Sequence, residues 1–250
     1  MSGHSKRSSI KHKKAATDAK RGQLFTKLAR EVSLAAREGG GDPEMNARLR
    51  LAIQRARDAN MPKDNIERAI QRGAGGGDGE ALIEITYEGY GPGGTAVLVE
   101  AVTDNRNRTV AEVRNAFTRG GGNMADAGAV AWQFEMRGVI VVDVRTHDVD
   151  EVQLTAIEAG ALDVSADDDI VEVITEREQL EAIREALTDA DIEVTGAELA
   201  QFPSNVIELD ESKAIQALRL LERLDELDDV ARVFSNADFP EEALEAVAAS

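Results

Sequence analysis

The sequence predicts an α/β (α+β multidomain) protein with an N-terminal three-helix domain, a central α/β domain and an inserted ferredoxin-like βαββαβ domain. Three observations predict it. Apolar residues recur every three to four positions in three stretches between Leu24 and Ile70, and a glycine-rich run follows them. Between 138 and 203 the pattern changes to strand, helix, strand, strand, helix, strand, the order of a split βαβ unit. After Pro203, a strand, a helix and a strand are too few to build a core alone, so they complete the segment that precedes residue 138. The expected boundaries are 1–72 (basic helical domain with its N-terminal tail), 73–79 (linker), 80–137 with 204–250 (central domain) and 138–203 (insertion).

In the first segment Leu24, Phe25, Leu28, Val32, Ala35 and Ala36 line one helical face, and Gly39 to Gly41 stop it. Asp42 and Pro43 suit the N-cap and first position of a second helix, with Leu49, Ile53 and Ala56 inward. A third helix follows Pro62, carries Ile66, Ala69 and Ile70, and stops at Gly73. Gly73 to Gly79 reads as a flexible linker. Ala81 to Tyr87 and Thr95 to Thr103 are strand-like and joined by a Gly/Pro loop. Thr109 and Glu112 form a capping box for a helix with Val110, Val113 and Phe117 inward, ended by Gly120 to Gly122. Ala129 to Glu135, with Trp132 and Phe134, reads as a strand. The βαββαβ unit comprises strands at Val139 to Val144, Leu162 to Ser165, Ile170 to Ile174 and Ile192 to Leu199. Its helices are Asp148 to Ala159 and Glu176 to Ala190, with a capping box at Thr175 and Glu178. Strand Val206 to Leu209, helix Glu211 to Glu226 and strand Val230 to Phe234 close the chain's regular elements.

Charge is distributed unevenly. The chain carries a net −18, yet residues 1–72 hold 17 Lys/Arg against 8 Asp/Glu, a net of +9, and the other residues hold 12 against 39, a net of −27. Binding responds to local fields because salt screens charges beyond roughly 10 Å. A basic module of this kind points to a polyanionic partner. The absence of cysteine excludes disulfides, thiolate zinc sites and cysteine nucleophiles. Aromatics make up 4% of the chain, so the cores rest on aliphatics and a broad base-stacking platform is hard to assemble. No apolar run approaches the roughly 18 residues of a membrane span. Ile10 is the only large aliphatic between Ser2 and Gln23, too little for a signal-peptide core or the apolar face of a presequence. A cytoplasmic, non-enzymatic protein without membrane partner, cofactor or metal is the expectation.

The strongest candidate site is the cation cluster Lys6, Arg7, Lys11, Lys13, Lys14, Lys20, Arg21, Lys27, Arg30 and Arg37, with only Asp18 and Glu31 nearby and His4 at its start. Phosphate contacts need donors and positive charge, and counterion release supplies much of the free energy. The competing reading is a solubilising tail. Arg48 and Arg55, seven residues apart, form one row on the second helix, and Arg50 and Arg57 a second. Gly89 to Gly94 matches G-x-G-x-x-G, but a strand follows where a dinucleotide fingerprint needs a helix N-terminus. Tyr90, Gly91, Pro92 and Gly93 are instead an interstrand loop or a partner contact, as are the loop residues Asn105, Arg106, Asn107 and Arg108. His4, His12 and His147 lack metal-ligand spacing. Asp167 to Asp169 reads as a solvated turn. The acidic domains offer a surface for a protein partner.

Several segments carry a family resemblance: G-H-S-K at Gly3 to Lys6, I-K-H-K-K-A-A at Ile10 to Ala16 and D-A-K-R-G at Asp18 to Gly22. Further matches are M-P-K-D-N-I at Met61 to Ile66, Y-E-G-Y-G-P-G-G at Tyr87 to Gly94, T-D-N-R-N-R-T at Thr103 to Thr109 and L-D-D-V at Leu227 to Val230. The chain resembles the YebC/PmpR family, with Arg7 standing where that family usually has Trp. The resemblance implies an N-terminal helical domain followed by two α/β domains, the last inserted in the second. It also implies a DNA-binding transcriptional regulator, or alternatively a translation factor bound to rRNA and the ribosome.

Overall fold

The computed structural model describes residues 18–75, 82–145, 147–167 and 169–248. It is a mixed helix and strand protein divided into two compact units, one of residues 135–202 and one of 18–134 with 203–248.

In the larger unit, α1 (Asp18–Gly39), α2 (Ala47–Asp58) and α3 (Lys63–Ala74) pack around Leu28, Val32, Ala35, Leu49, Ile53, Ala56, Ile66 and Ala69. α2 starts later than Asp42–Pro43 predicts. Asn46 is its N-cap, accepting from the Leu49 amide at 3.0 Å while its own amide donates to the Ala35 and Gly40 carbonyls at 2.8 Å each. Asp42 instead caps a turn by accepting from the Glu44 amide. Gly73 is not the stop of α3, which continues to Ala74 with Gly75 as C-cap. A Cβ at Gly73 would lie 2.1 Å from the Ser33 carbonyl oxygen, so this glycine lets α3 press against α1.

β1 (Ile83–Tyr90) and β2 (Ala96–Thr103) form an antiparallel pair joined through a single 3₁₀ turn, Pro92–Gly94. No helix follows the glycine loop. α4 (Arg106–Arg119) comes next, then β3 (Asn123–Ala125), which pairs with the end of β1. The cap of α4 is Asn105, accepting from the Arg108 amide at 3.1 Å, and not Thr109. Of the strand predicted at Ala129 to Glu135, residues 129–133 are a loop with a 3₁₀ turn, Ala131–Gln133, and Phe134 and Glu135 begin the next strand.

β4 (Phe134–Asp143), α5 (Val149–Glu158), β5 (Asp163–Asp167), β6 (Ile170–Glu176), α6 (Leu180–Asp189) and β7 (Val194–Pro203) follow as βαββαβ. Their sheet order, β5-β6-β4-β7, is the ferredoxin-like order. α6 is entered through a 3₁₀ turn at Arg177–Gln179 rather than a Thr175 capping box; the Thr175 hydroxyl donates to the Glu176 carbonyl. The core of this unit is Ile140, Val142, Val152, Val171, Val173, Ile183 and Leu187.

The chain then returns to the larger unit with β8 (Ile207–Glu208), α7 (Glu211–Asp225), β9 (Val230–Ser235), β10 (Ala237–Asp238) and α8 (Glu241–Ala248). β9 pairs with β2 to complete a sheet of order β3-β1-β2-β9, and β8 pairs in parallel with β10. α7 is fully amphipathic, burying Ala214, Ala217, Leu218, Leu220, Leu221 and Leu224. The strand expected at Val206 to Leu209 contains β8, while the short strands β3 and β10 and helix α8 carry too few patterned residues to be read from sequence.

Candidate nucleic-acid interface

His4, Lys6, Arg7, Lys11, Lys13 and Lys14 lie outside the described residues, as does the side chain of Lys20. The remaining predicted cations divide sharply by what they touch. Lys27 points from α1 to the last residue of α7, and Arg30 into the acidic segment that follows it. Lys27 is buried, its Nζ donating to the Asp225 carbonyl and lying 3.8 Å from the Asp225 carboxylate. Gln23, one turn earlier, donates to Asp228 Oδ1 at 3.2 Å and to the Glu226 carbonyl. Carbonyls exposed at the C-terminal end of a helix attract cations and donors, and α7 presents such an end here.

Asp229 is the centre of this contact. Its side chain is only 2% exposed, and Arg30 Nη1 donates to Oδ1 at 2.8 Å. Arg108 donates from Nη2 at 2.8 Å and from Nε at 3.1 Å. The hydroxyls of Thr109 and Thr103 donate at 2.7 and 3.1 Å. Burial alone would raise the Asp229 carboxyl, but the hydrogen bonds from Thr109, Arg108 and Thr103 and the field of Arg30 outweigh it and hold the group below the usual carboxylate value. Hydrogen bonding to Asp229, then to Asp104, raises the Arg108 guanidinium further. A polar cleft of about 450 Å³ opens beside them, lined by Arg30, Asp104, Arg108, Glu112, Asp228 and Asp229. With its carboxylates outnumbering its cations, it does not resemble a phosphate pocket.

Arg55 pairs with Glu31 inside the bundle, both largely buried. Arg48 bridges Glu38 and, at 2.8 Å, Glu84 of β1. Its half-burial lowers the guanidinium, but hydrogen bonding to Glu84 and the surrounding carboxylates leave it above its ordinary value. Among the described residues, the other cations of α1 to α3, Arg21, Arg37, Arg50, Arg57, Lys63, Arg68 and Arg72, are exposed. Arg21 lies 5.5 Å over the Phe25 ring.

The predicted loop residues separate in the same way. Gly91 and Pro92 are buried, Gly93 is exposed, and Tyr90 donates its hydroxyl to the Ala129 carbonyl at 3.2 Å. Asn105 is spent on the cap of α4, Arg106 and Asn107 are exposed, and Arg108 is committed to Asp229.

Two features escape the sequence reading. Glu88 is a buried carboxylate that accepts the backbone amides of Gly128, Val130 and Ala131 at 2.6, 2.7 and 2.8 Å. Burial opposes its ionisation, yet these amides keep it below its ordinary value. The loop so held displays Trp132, 73% exposed. Among the described residues, no group of three or more His, Cys, Asp or Glu is placed to hold a metal, and no helix is long and apolar enough to cross a membrane.

Comparison with known proteins covers nearly the whole chain. Residues 5–76 match the TACO1/YebC protein N-terminal domain, and residues 82–237 match the TACO1/YebC second and third domain. A protein of Dehalococcoides mccartyi named "Probable transcriptional regulatory protein" is 54% identical over 245 residues, 98% of either chain. A protein of the same name from Dictyoglomus turgidum is 51% identical over 99% of this chain and all of its own. The crystal structure of a conserved hypothetical protein from Aquifex aeolicus superposes with a TM-score of 0.87 at 46% identity, covering 93% of this chain and 96% of that one.

Proposed function

The chain belongs to the TACO1/YebC family, and from that premise we propose that it is a non-enzymatic, nucleic-acid-binding regulator of gene expression acting in the cytoplasm. The observation that carries the reading is the charge partition: +9 over residues 1–72 in a protein of net −18. The name shared by the relatives supports a regulatory role and makes DNA the first polymer to test. Within the basic module, phosphate falls to the cations of residues 4–21 and to Arg37, Arg50, Arg57, Arg68 and Arg72 on the helices. Lys27, Arg30, Arg48 and Arg55 hold the fold together instead.

If about six phosphates are neutralised, the logarithm of duplex affinity falls against log salt with a slope near −5, roughly a thousandfold between 50 and 200 mM. Fluorescence anisotropy of a labelled duplex measures it. A slope near zero, or no binding, defeats the proposal. Cross-linking in cells, with sequencing of both DNA and RNA, then separates promoter DNA from rRNA.

A further inference from the structure

The chain contains a single tryptophan, and the fold holds it out to solvent. Exposing an indole forgoes burial of a large apolar surface, so its support is informative. The Trp132 Nε1 donates to the Ala129 carbonyl at 3.1 Å, the same oxygen that accepts the Tyr90 hydroxyl. Three further backbone amides of this loop are fixed by Glu88, and Gly128 takes the left-handed conformation, φ 88°, which glycine adopts without strain. The polar edge of the indole is therefore occupied, and what faces outward is ring surface already positioned, so little further ordering is needed on binding.

The loop that carries the indole has the small residues Ala127, Gly128, Ala129 and Ala131, and its larger aliphatic, Val130, is buried, so the loop itself adds no bulky exposed apolar side chain beside Trp132. Charge favours a polyanion. Residues 105–133 contain four arginines against Glu112 and Asp126, and with Arg108 paired to Asp229 three remain, within a body that is otherwise strongly acidic. Arg106, Arg114 and Arg119 are exposed. The end of α4 bearing Arg119 and the loop bearing Trp132 flank one three-residue strand, β3, paired to the end of β1.

We propose that Trp132 is a stacking platform for an unpaired base of a single-stranded nucleic acid, with Arg119, at the end of α4 that adjoins β3, meeting a neighbouring phosphate. This rests on the nucleic-acid reading above and narrows it: a flat aromatic surface takes any base, but only one freed from its stack.

The test uses the full chain, an oligouridine or oligodeoxythymidine strand of about twelve nucleotides labelled at one end, and a duplex of the same length. Anisotropy reports binding, and tryptophan emission reports stacking at residue 132 alone. The expected result is saturable quenching with the single strand, at the same midpoint as the anisotropy, and little quenching with the duplex. Trp132→Ala should weaken single-strand binding at least fivefold and leave duplex binding unchanged, and Trp132→Phe, which keeps a ring but not the N–H, should recover most of the loss. Single-strand binding with unchanged emission and undiminished affinity in Trp132→Ala overturns the stacking site, leaves the basic module standing and makes the indole a protein contact. Binding of neither oligonucleotide overturns both.

Discussion

Removing the Asp229 carboxylate tests how the helical module is attached to the sheet beside it. In Asp229→Ala, Arg30 and Arg108 lose their shared anion, and the Thr103 and Thr109 hydroxyls lose an acceptor. Breaking a buried charge pair from one side costs about 3–5 kcal/mol where the surviving charge stays buried. Here Arg30 is 24% exposed and Arg108 is 42% exposed, so both regain some water and the lower end, about 3 kcal/mol, applies. For a chain of this size that lowers Tm by about 6–12 °C. Asp229→Asn keeps the shape and one acceptor oxygen and should lose roughly half as much. Calorimetry at neutral pH measures both, and the affected transition is that of the larger unit. The pH dependence carries a second check. The folded carboxyl titrates below its unfolded value, so its stabilisation is complete above about pH 4 and disappears as pH falls through the folded value. The gap between wild type and Asp229→Asn must therefore narrow in acid. A Tm for Asp229→Ala within about 2 °C of wild type would show that Arg30 and Arg108 are as well off in water, and that the attachment is not electrostatic.

Three other perturbations discriminate between parts of the structure. Gly73→Ala places a methyl 2.1 Å from the Ser33 carbonyl oxygen and should destabilise the bundle by about 1–3 kcal/mol, despite alanine's higher helix propensity; a raised Tm would refute the close packing of α1 on α3. Glu88→Gln removes the charge from three amide hydrogen bonds and should cost about 2 kcal/mol, with faster amide exchange at Gly128, Val130 and Ala131; unchanged exchange would mean that the loop holds itself. Arg57→Glu and Arg37→Glu should each weaken duplex binding and make the salt slope shallower by about one at unchanged Tm, whereas Lys27→Glu should lower Tm through its buried contact with Asp225; equal effects of all three on binding would erase the division of cations drawn above.

What could be read from the sequence was local. The inner face of α1 follows directly from Leu28, Val32, Ala35 and Ala36, and the ferredoxin-like order follows from the alternation of patterns between 138 and 203. Errors arose where a distant partner outweighed a local signal. Thr109 and Glu112 have capping-box spacing, yet the Thr109 hydroxyl goes to Asp229, 120 positions away, and Asn105 caps the helix. Asp42 and Pro43 look like a helix start, but Asn46 reaches back to the carbonyls that end α1 and sets the start of α2 there. Ala129 to Glu135 reads as a strand, but only Phe134 and Glu135 join one, at the start of β4; the Val130 and Ala131 amides are taken by Glu88 and the indole is left outside. The charge of Lys27 and Arg30 was visible, while their partners, 198 positions later, were not.

The same placement changes how the charge partition acts. A basic helix beside an acidic body is attracted to it, and a chain with a net +9 segment and a net −27 remainder could have neutralised its own binding surface. The structure limits that neutralisation to particular residues. Asp225, Asp229 and Glu84 take Lys27, Arg30 and Arg48, and Glu31 takes Arg55 within the bundle, while Arg37, Arg50, Arg57, Arg68 and Arg72 remain on the outside of α1 to α3. Attraction between the segments is thereby turned into a fixed orientation of the module, and the cations left over face solvent. On the proposed function, the acidic remainder would repel a polyanion and so favour binding where arginine or lysine outnumber carboxylates. If the proposed function holds, the strength of duplex binding should follow the exposed cations, and the cations paired with Asp225, Asp229, Glu84 and Glu31 should govern whether those cations are presented together.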